Sequence, residues 1–337
     1  MFQKEAAYYE QNDHDKVSCQ LCPHNCVLSN SKAGRCGVRE NVAGKLIARN
    51  YGQIGALCLD PIEKKPLYHF HPGQQIVSVG TYGCNFDCVF CQNWQLVHGN
   101  KEKYHQFTPK ELVQTVREEF ADSQNIGLAF TYNEPLTWFE YILEASQLAK
   151  EEGLKVVLVT NGFINQEPFS KLLVNIDAVN IDLKSFQEDF YHKYCGGKLE
   201  PVLDNIALAQ KSCHLELTTL LVTDLNDREE ELEQLASWVG TISKDIPIHI
   251  SRYHPSYKLT KPPTKLETIT RAYEIAAKYL NYVYLGNLWE WDNNTYCPEC
   301  NSILINREGF NIFSDGIKEH AGQRICKKCG LKIPVIM

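Results

Sequence analysis

The chain has 337 residues, enough for one large α/β domain and a smaller unit, and it contains fourteen cysteines. Its formal net charge of −7 disfavours nucleic acid and anionic membrane surfaces as partners, because proteins that bind polyanions carry basic patches. The first residues, MFQKEAAYYEQNDHDK, lack the apolar core of a signal peptide, and no apolar run is long enough to cross a bilayer. We therefore expect a cytoplasmic protein without a membrane partner, whose cysteines bind metal or iron-sulfur clusters instead of forming disulfides.

Four cysteines come first, in the stretch CQLCPHNCVLSNSKAGRCGVR. Cys19, Cys22, Cys26 and Cys36 are separated by two, three and nine residues. The proline and glycines beside them suit turns around a site. This irregular spacing leaves three alternatives open: a structural metal, a second iron-sulfur cluster, or unligated thiols.

A linker rich in charged, aromatic and proline residues, DPIEKKPLYHFHPG (60–73), precedes the first predicted strand of the main domain. Its composition is compatible with a surface loop or with a segment that lines the substrate side of that domain.

Three further cysteines, Cys84, Cys88 and Cys91, follow the first predicted strand with the spacing Cys-x3-Cys-x2-Cys. A four-iron cluster needs a ligand on every iron, so three thiolates leave one iron open to a ligand that is not protein. The alternative is an incomplete zinc site completed by a histidine such as His98, but zinc sites seldom use this spacing.

Seven short β-branched runs, with helical segments between them, predict a parallel sheet that is closed or partly closed into a barrel. The predicted strands are residues 75–80, 125–132, 155–160, 177–183, 214–222, 246–251 and 281–286. Thr108, Pro109 and Glu111 predict a capping box at the start of the helix TPKELVQTVREEF. The predicted fold is therefore α/β, with a Cys-rich segment and linker (1–72), a partial (β/α) barrel (73–290) and a small Cys-rich segment (291–337).

Polar residues follow four of the predicted strands, in the sequences TYNEP, TNG, IDLK and SRYHP. In such barrels the functional residues lie at the carboxyl ends of the strands. Each polar group also has a structural alternative: Glu134 can cap a loop, and Asp182 and Lys184 can form an ion pair at the barrel mouth. Asn161 before a glycine is common in turns, and His254 before a proline often closes one.

Two Cys-x2-Cys pairs lie near the end of the chain, Cys297 with Cys300 and Cys326 with Cys329. Two tight turns of this spacing present four thiolates to a tetrahedral metal, for which zinc is the first choice and a rubredoxin-like iron the second. The segment has little hydrophobic content, so the metal would hold it folded. The three isolated cysteines, Cys58, Cys195 and Cys213, are predicted to be small buried side chains.

The loop CNFDCVFC (84–91) resembles the defining motif of the radical S-adenosylmethionine (SAM) superfamily. In that superfamily the open iron of a 4Fe-4S cluster chelates the amino and carboxylate groups of SAM, and one electron cleaves SAM to a 5′-deoxyadenosyl radical that abstracts hydrogen from a substrate. The resemblance implies a partial barrel of the radical SAM type. It also implies cofactor contacts for Phe90 (adenine), for Asn133 and Glu134 (methionine amine) and for Asn161 (cofactor edge). Asp182 and Lys184 match a motif of glycyl-radical-activating enzymes, which implies contacts with the ribose hydroxyls and the methionine carboxylate, and His254 lies where those enzymes carry a histidine near the cofactor. Asn133 and Glu134 depart from the superfamily pattern because the two glycines of its Gly-Gly-Glu stretch are missing.

Over nearly its whole length the chain is similar to radical SAM enzymes of the AmmeMemoRadiSam system, relatives of pyruvate formate-lyase activating enzyme. Three parts of the chain carry this resemblance. They are the amino-terminal cysteine stretch, the linker that runs into the cysteine loop, and the strand YLG, which is followed by asparagine and a Cys-x2-Cys pair. It implies Memo-type and AMMECR1-type proteins as partners and a flavodoxin or ferredoxin as the reductant. The first hypothesis is an oxidoreductase that acts on a protein or peptide group, as in glycyl radical activation. The alternatives are radical SAM chemistry on a small molecule or RNA, and a non-enzymatic, metal-stapled binding protein; no catalytic side chain is assigned.

Overall fold

The structure is a computed structural model that describes residues 3–98, 104–120, 124–288, 291–309 and 311–337. Its strands are β1 (Lys4–Glu5), β2 (Tyr9–Gln11), β3 (Val17–Cys19), β4 (Val27–Leu28), β5 (Arg39–Val42), β6 (Lys45–Ala48), β7 (Gln53–Ile54), β8 (Ala56–Pro61), β9 (Gln75–Gly80), β10 (His105–Gln106), β11 (Asn125–Phe130), β12 (Lys155–Thr160), β13 (Ala178–Asp182), β14 (His214–Leu221), β15 (Ile248–Arg252), β16 (Val283–Gly286), β17 (Thr295–Tyr296), β18 (Ile303–Glu308), β19 (Asn311–Phe313), β20 (Ile317–His320) and β21 (Gln323–Cys326). Its α-helices are α1 (Trp94–His98), α2 (Pro109–Glu119), α3 (Phe139–Glu151), α4 (Gln166–Leu173), α5 (Glu188–Phe190), α6 (Glu200–Gln210), α7 (Glu229–Ile242) and α8 (Leu266–Ala276). Short 3-10 helices cover Ile62–Lys64 and Pro135–Trp138, and Tyr191–Cys195 form a π-helical turn.

An eight-stranded sheet forms the centre of the protein, in the order β16-β15-β14-β13-β12-β11-β9-β8. The seven strands from β9 to β16 are parallel to their neighbours, and β8 pairs antiparallel with β9 at one edge. All seven predicted strands are present, so the predicted parallel α/β sheet is confirmed. Over the described ranges no hydrogen-bonded ladder joins the edges β8 and β16, so the barrel is partial.

Amphipathic helices cover the outside of the sheet. Helix α2 buries Leu112, Val113 and Val116, which lie on one face because they are spaced by one, three and four residues. The predicted capping box is confirmed, since the Glu111 amide donates to the Thr108 hydroxyl over 3.2 Å and the Thr108 amide donates to the Glu111 carboxylate over 2.7 Å. Within the described ranges, no helix combines the length and the apolar character that crossing a membrane requires.

The linker (60–73) fills the barrel from the amino ends of its strands. Its side chains Ile62, Leu67 and Phe70 pack in one core with inward-facing residues of β9, β11, β12 and β13. The backbone amides of Tyr68 and His69 donate to the Glu216 carboxylate of β14 over 3.0 and 2.7 Å. The linker is therefore buried and is not a surface loop, and its apolar side chains close the end of the barrel opposite to the carboxyl ends of the strands.

The amino-terminal segment shares a hydrophobic core with the barrel. The Arg39 guanidinium pairs with the Glu140 carboxylate of α3 over 2.8 Å, and both side chains are buried. The same carboxylate accepts a 2.7 Å hydrogen bond from the Ala7 amide. These contacts fix the first cysteine group against the barrel, close to the loop that follows β9.

The carboxyl-terminal segment forms a small ribbon of two β-sheets with its own core around Leu304, Ile305 and Ile333. Its contact with the linker is specific: the Ile336 amide donates to the His69 carbonyl over 2.8 Å, and Arg307 donates to the Tyr68 carbonyl over 2.8 Å. The ribbon therefore holds the linker in place at the closed end of the barrel.

Candidate active site

The carboxyl ends of the parallel strands enclose a cavity of about 320 Å³. This is the end of a parallel α/β barrel at which functional residues lie. The cavity brings together nine residues that the sequence singled out: Cys84, Cys88, Phe90, Cys91, Asn133, Glu134, Asn161, Asp182 and Lys184.

The cysteine loop after β9 is held by side chains from the ends of the neighbouring strands. Asn133 accepts a hydrogen bond from the Thr81 amide and donates to the Gly83 carbonyl, each over 3.0 Å. Asn161 donates to the Asn85 side chain over 2.8 Å. The loop is therefore fixed at two points, and its three thiols line one wall of the cavity.

Glu134 is 3 % exposed, and its carboxylate accepts three hydrogen bonds. The donors are the Thr160 hydroxyl at 2.6 Å, the Asn161 amide at 2.8 Å and the Leu136 amide at 3.0 Å. Burial raises the pKa of Glu134 to about 7, although these hydrogen bonds oppose the rise. Glu134 caps the 3-10 helix that begins at Pro135, as the structural alternative predicted, and it also lines the cavity; its contact with a cofactor stays a prediction.

Asp182 and Lys184 form an ion pair at the cavity, with 2.9 Å between the Lys184 ammonium nitrogen and the Asp182 carboxylate. Burial alone would lower the pKa of Lys184, but the negative charges of Asp182 and Cys88 hold it well above its ordinary value. Lys184 is therefore a fixed positive charge beside the cysteine loop, and Asp182 keeps part of its surface open to solvent.

His254 lies apart from the other predicted residues. It is exposed and lines a neighbouring depression of about 530 Å³. Gln92 and Asn287 border both spaces, so the depression adjoins the cavity.

Several residues that line the cavity were not among the sequence predictions: Gln92, Asn93, Tyr132, Thr218, Leu220, Ser251 and Asn287. A signal existed for four of them. Thr218 and Leu220 alternate with buried residues that face the helices, and every second residue of a strand faces the same side. Ser251 and Asn287 lie at or just after the carboxyl ends of β15 and β16, where the general rule for barrels applies.

The four carboxyl-terminal cysteines form a compact group. All four sulfurs lie within 4.8 Å of one another, with 3.5 Å between Cys297 and Cys329 and 3.7 Å between Cys300 and Cys326. A tetrahedral zinc with bonds of 2.3 Å to sulfur separates its thiolates by about 3.8 Å. The group therefore fits one tetrahedral metal ion.

The isolated cysteines differ in their surroundings. Cys195 is fully buried, as predicted, and its thiol lies near Cys88, where it lowers the pKa of the Cys88 thiol. Cys213 is partly buried. The prediction for Cys58 is wrong, because this residue lies on the edge strand β8 and is exposed.

Comparison with known proteins agrees with this geometry. Residues 78–239 match the Radical SAM superfamily. An uncharacterized protein from Methanocaldococcus jannaschii is 41% identical over 99% of this chain and 100% of its own length. Pyruvate formate-lyase 1-activating enzyme from Escherichia coli is 27% identical over 62% of this chain and 90% of its own length. The crystal structure of Streptococcus suis SuiB bound to S-adenosylmethionine has a similar fold, with a TM-score of 0.51 and 15% identity, covering 67% of this chain and 52% of SuiB. Residues 78–239 therefore form a radical SAM domain, and the chain is an enzyme of the radical SAM type that is related to the pyruvate formate-lyase activating enzymes.

Proposed function

We propose that this enzyme reductively cleaves SAM with a 4Fe-4S cluster held by Cys84, Cys88 and Cys91. The observation that carries the proposal is that these three thiols line the same cavity as Glu134 and the pair of Asp182 and Lys184. When bound, the cluster supplies the electron that cleaves SAM to a 5′-deoxyadenosyl radical, which abstracts hydrogen from a substrate.

The number of thiols supports a cluster with one open iron. Among the described residues, the lining of the cavity contains these three cysteines and no fourth. Three thiolates satisfy three irons, and the fourth iron remains open to SAM. The hydrogen bonds from Asn133 and Asn161 to the loop hold the ligands in a fixed arrangement, which limits the rearrangement that cofactor binding needs.

The charges around the cavity suit the two ends of the methionine moiety. In this proposal the ionised Glu134 accepts hydrogen bonds from the methionine amine, and the Lys184 ammonium faces the methionine carboxylate. Phe90 is 4 % exposed and packs beside Phe190, which gives the adenine an apolar wall next to the third cysteine. Asn161, fixed by its hydrogen bond to Asn85, borders the same space.

For the substrate, we favour a protein or peptide group. The relative from Escherichia coli is named for the activation of another enzyme, and SuiB has been solved bound to its precursor peptide SuiA. The depression beside His254 extends the cavity towards solvent, and in this proposal an extended segment of the substrate protein enters the cavity through it. A small molecule remains the second candidate, and the net charge of −7 disfavours RNA.

The proposal extends to partners and location. The resemblance over nearly the whole chain supports Memo-type and AMMECR1-type proteins as partners. A flavodoxin or ferredoxin is the proposed electron donor, and the cytoplasm, where thiols stay reduced, is the proposed location.

The test is the formation of 5′-deoxyadenosine from SAM by the anaerobically reconstituted, reduced protein, measured by mass spectrometry. The wild type should form it, and Cys84→Ser, Cys88→Ser and Cys91→Ser should each abolish it. Cys58→Ser is the matched control, because Cys58 is exposed on β8 and does not line the cavity. Full activity in any one of the three loop variants would rule out the proposed ligand set.

The substrate class is tested by repeating the reaction with purified Memo-type and AMMECR1-type proteins from the same genome. A protein substrate should raise the yield of 5′-deoxyadenosine and acquire a mass change or a radical signal in the same sample. If only small-molecule fractions raise the yield, the protein substrate is wrong and the second candidate replaces it.

A further inference from the structure

The four amino-terminal cysteines surround one space between the amino-terminal segment and the barrel. Cys19 ends β3, Cys22 and Cys26 lie in the connection to β4, and Cys36 lies in the turn before β5. The fold brings all four thiols to the wall of a single cavity, together with His24, Arg39 and Asn85. Thiols that are distant in the chain, from Cys19 to Cys36, therefore meet at one site.

The spacing of these thiols differs from that of the carboxyl-terminal group. Among the described residues, only one group of three or more potential ligands is close enough together to bind a single metal ion. It consists of Cys297, Cys300, Cys326 and Cys329. The amino-terminal thiols line a common cavity without forming such a compact group. A four-iron cluster places each thiolate on a different iron, so its ligands stand further apart than those of a single zinc ion.

A buried arginine beside the cavity supplies a second, independent observation. Arg39 is 1 % exposed; its terminal nitrogens donate to Glu140 and to the Ala7 carbonyl. Its Nε atom, however, has no hydrogen-bond partner among the described residues. A buried donor without a partner is costly unless an acceptor or a negative charge lies nearby. A cluster with four thiolate ligands is anionic, so it would supply that negative charge.

We propose that Cys19, Cys22, Cys26 and Cys36 bind a second 4Fe-4S cluster, with one thiolate on each iron, instead of a zinc ion. Because every iron then has a protein ligand, this cluster leaves no iron open to SAM. Its role is electron transfer, and this role rests on the proposed function of the cavity.

The position of the site beside the cysteine loop supports that role. Asn85, the residue after Cys84, lines the amino-terminal cavity, and its carbonyl is 2.7 Å from the His24 ring. Gly83, the residue before Cys84, packs so closely on the turn at Cys36 that an added Cβ would lie 2.8 Å from the Cys36 carbonyl oxygen. In the proposed step, a low-potential one-electron carrier is oxidised by one electron, the second cluster takes up and passes on that electron, and the cluster at Cys84 is reduced.

The test uses the full chain with Cys84, Cys88 and Cys91 all changed to alanine, reconstituted anaerobically with iron and sulfide. The proposal predicts about four sulfide per chain, and about four iron in addition to the single metal ion of the carboxyl-terminal group. It also predicts an electron paramagnetic resonance signal of the reduced variant that is unchanged by SAM. A companion variant, Cys22→Ala with Cys36→Ala, should lose this signal and keep the one that responds to SAM. Cys58→Ala with Cys213→Ala is the control for loss of thiols outside both groups, and circular dichroism checks that each variant is folded.

Two results would overturn the proposal. A folded triple variant that holds zinc at both terminal groups and no sulfide would make the amino-terminal site a zinc site. A folded triple variant without metal at that site would leave the four thiols unligated. If the wild type lacks a signal that responds to SAM while the triple variant still holds four irons, the proposed function fails and the second cluster stands.

The electron-transfer role has its own readout in the fully reduced wild type. Two adjoining paramagnetic clusters interact, so the wild-type spectrum should differ from the sum of the spectra of the two variants. A spectrum equal to that sum would contradict the close approach of the two clusters.

Discussion

The Thr160 hydroxyl donates a 2.6 Å hydrogen bond to the Glu134 carboxylate, which connects the end of β12 to the loop after β11. The bond holds a buried carboxylate at the wall of the cavity, in the place where the proposed function needs an acceptor for the methionine amine. Burial sets the pKa of Glu134 at about 7, so small changes in pH change its charge. This relationship gives the first prediction.

SAM should bind more tightly as the pH rises from 6 to 7.5. Glu134 is neutral below its pKa and negatively charged above it, and only the charged form makes charge-assisted hydrogen bonds to the amine. Anaerobic calorimetric titration at several pH values measures the effect. Glu134→Gln should weaken SAM binding roughly tenfold at pH 7.5 and flatten the pH profile of binding, because a hydrogen bond to a charged group contributes about 1.5–3 kcal/mol.

Thr160→Val should move the pH profile of SAM binding to higher pH, because it removes a hydrogen bond that stabilises the charged form of Glu134. An identical pH profile in the wild type and Glu134→Gln would contradict the role of this carboxylate.

Lys184→Met should lower the rate of SAM cleavage at least tenfold, because it removes the partly buried positive charge beside the cysteine loop and leaves Asp182 without its partner. The measurement is the rate of 5′-deoxyadenosine formation together with the iron content. Lys258→Met is the matched control, since Lys258 forms an exposed pair with Asp87, at 3.4 Å, and should keep nearly the wild-type rate. Equal loss in both variants would show that the effect is not specific to the cavity.

The carboxyl-terminal ribbon should lose its metal without loss of the catalytic cluster. Cys297→Ser or Cys326→Ser removes one of four thiolates, so bound zinc or iron should fall by about one ion per chain and the melting temperature should drop. Metal analysis, thermal unfolding and the cluster absorbance of the reconstituted protein check this. Equal loss of ribbon metal and catalytic cluster would show instead that the ribbon and the barrel fold as one unit.

Glu216→Gln should destabilise the fold by about 3 kcal/mol, because a buried carboxylate with several charged and polar partners is lost. Glu216 is fully buried and accepts hydrogen bonds from His249 at 2.6 Å and from His214 at 2.9 Å. Burial alone would raise the pKa of Glu216, but its histidine partners hold it well below the ordinary value of 4.5. Its stabilisation is therefore present above pH 4.5 and is lost as the pH falls further.

Urea unfolding at pH 7 and at pH 4 measures this effect, and the difference between wild type and variant should shrink at the lower pH. Glu229→Gln, which removes an exposed pair with Arg271, is the control and should leave the urea midpoint nearly unchanged. A Glu216→Gln variant as stable as the wild type at pH 7 would contradict the role of the buried network.

The strands and the cavity could be predicted because their signals are local. Short β-branched runs predicted all seven parallel strands, and the rule for strand ends indicated Glu134 and Asp182 from the sequence alone. Asn133 and Glu134 also line the cavity without the expected glycines. One residue earlier, Tyr132 has φ of 74°, a left-handed conformation that glycine adopts at lower cost. The Tyr132 hydroxyl also donates to Asp60 over 2.7 Å, and this contact offsets part of the strain.

The role of the linker could not be predicted because its partners are distant in the chain. Its lysines and histidines are typical of an exposed loop, yet Lys65 is 2 % exposed and pairs with Asp60 over 2.9 Å. The acceptor for its backbone amides, Glu216, lies 147 residues after His69. Local patterns carry no information on such contacts. The shared cavity of the amino-terminal cysteines required tertiary structure for the same reason. His254 lies in the depression that adjoins the cavity, because the chain leaves the cavity after β15.

The most direct test of the central claim is electron paramagnetic resonance of the anaerobically reconstituted, reduced protein with and without SAM, combined with zinc and iron counts. We predict a reduced-cluster signal that shifts when SAM is added, because SAM binds the open iron of the cluster at Cys84, Cys88 and Cys91. A protein that holds zinc at all three cysteine groups and gives no signal that responds to SAM would contradict the account.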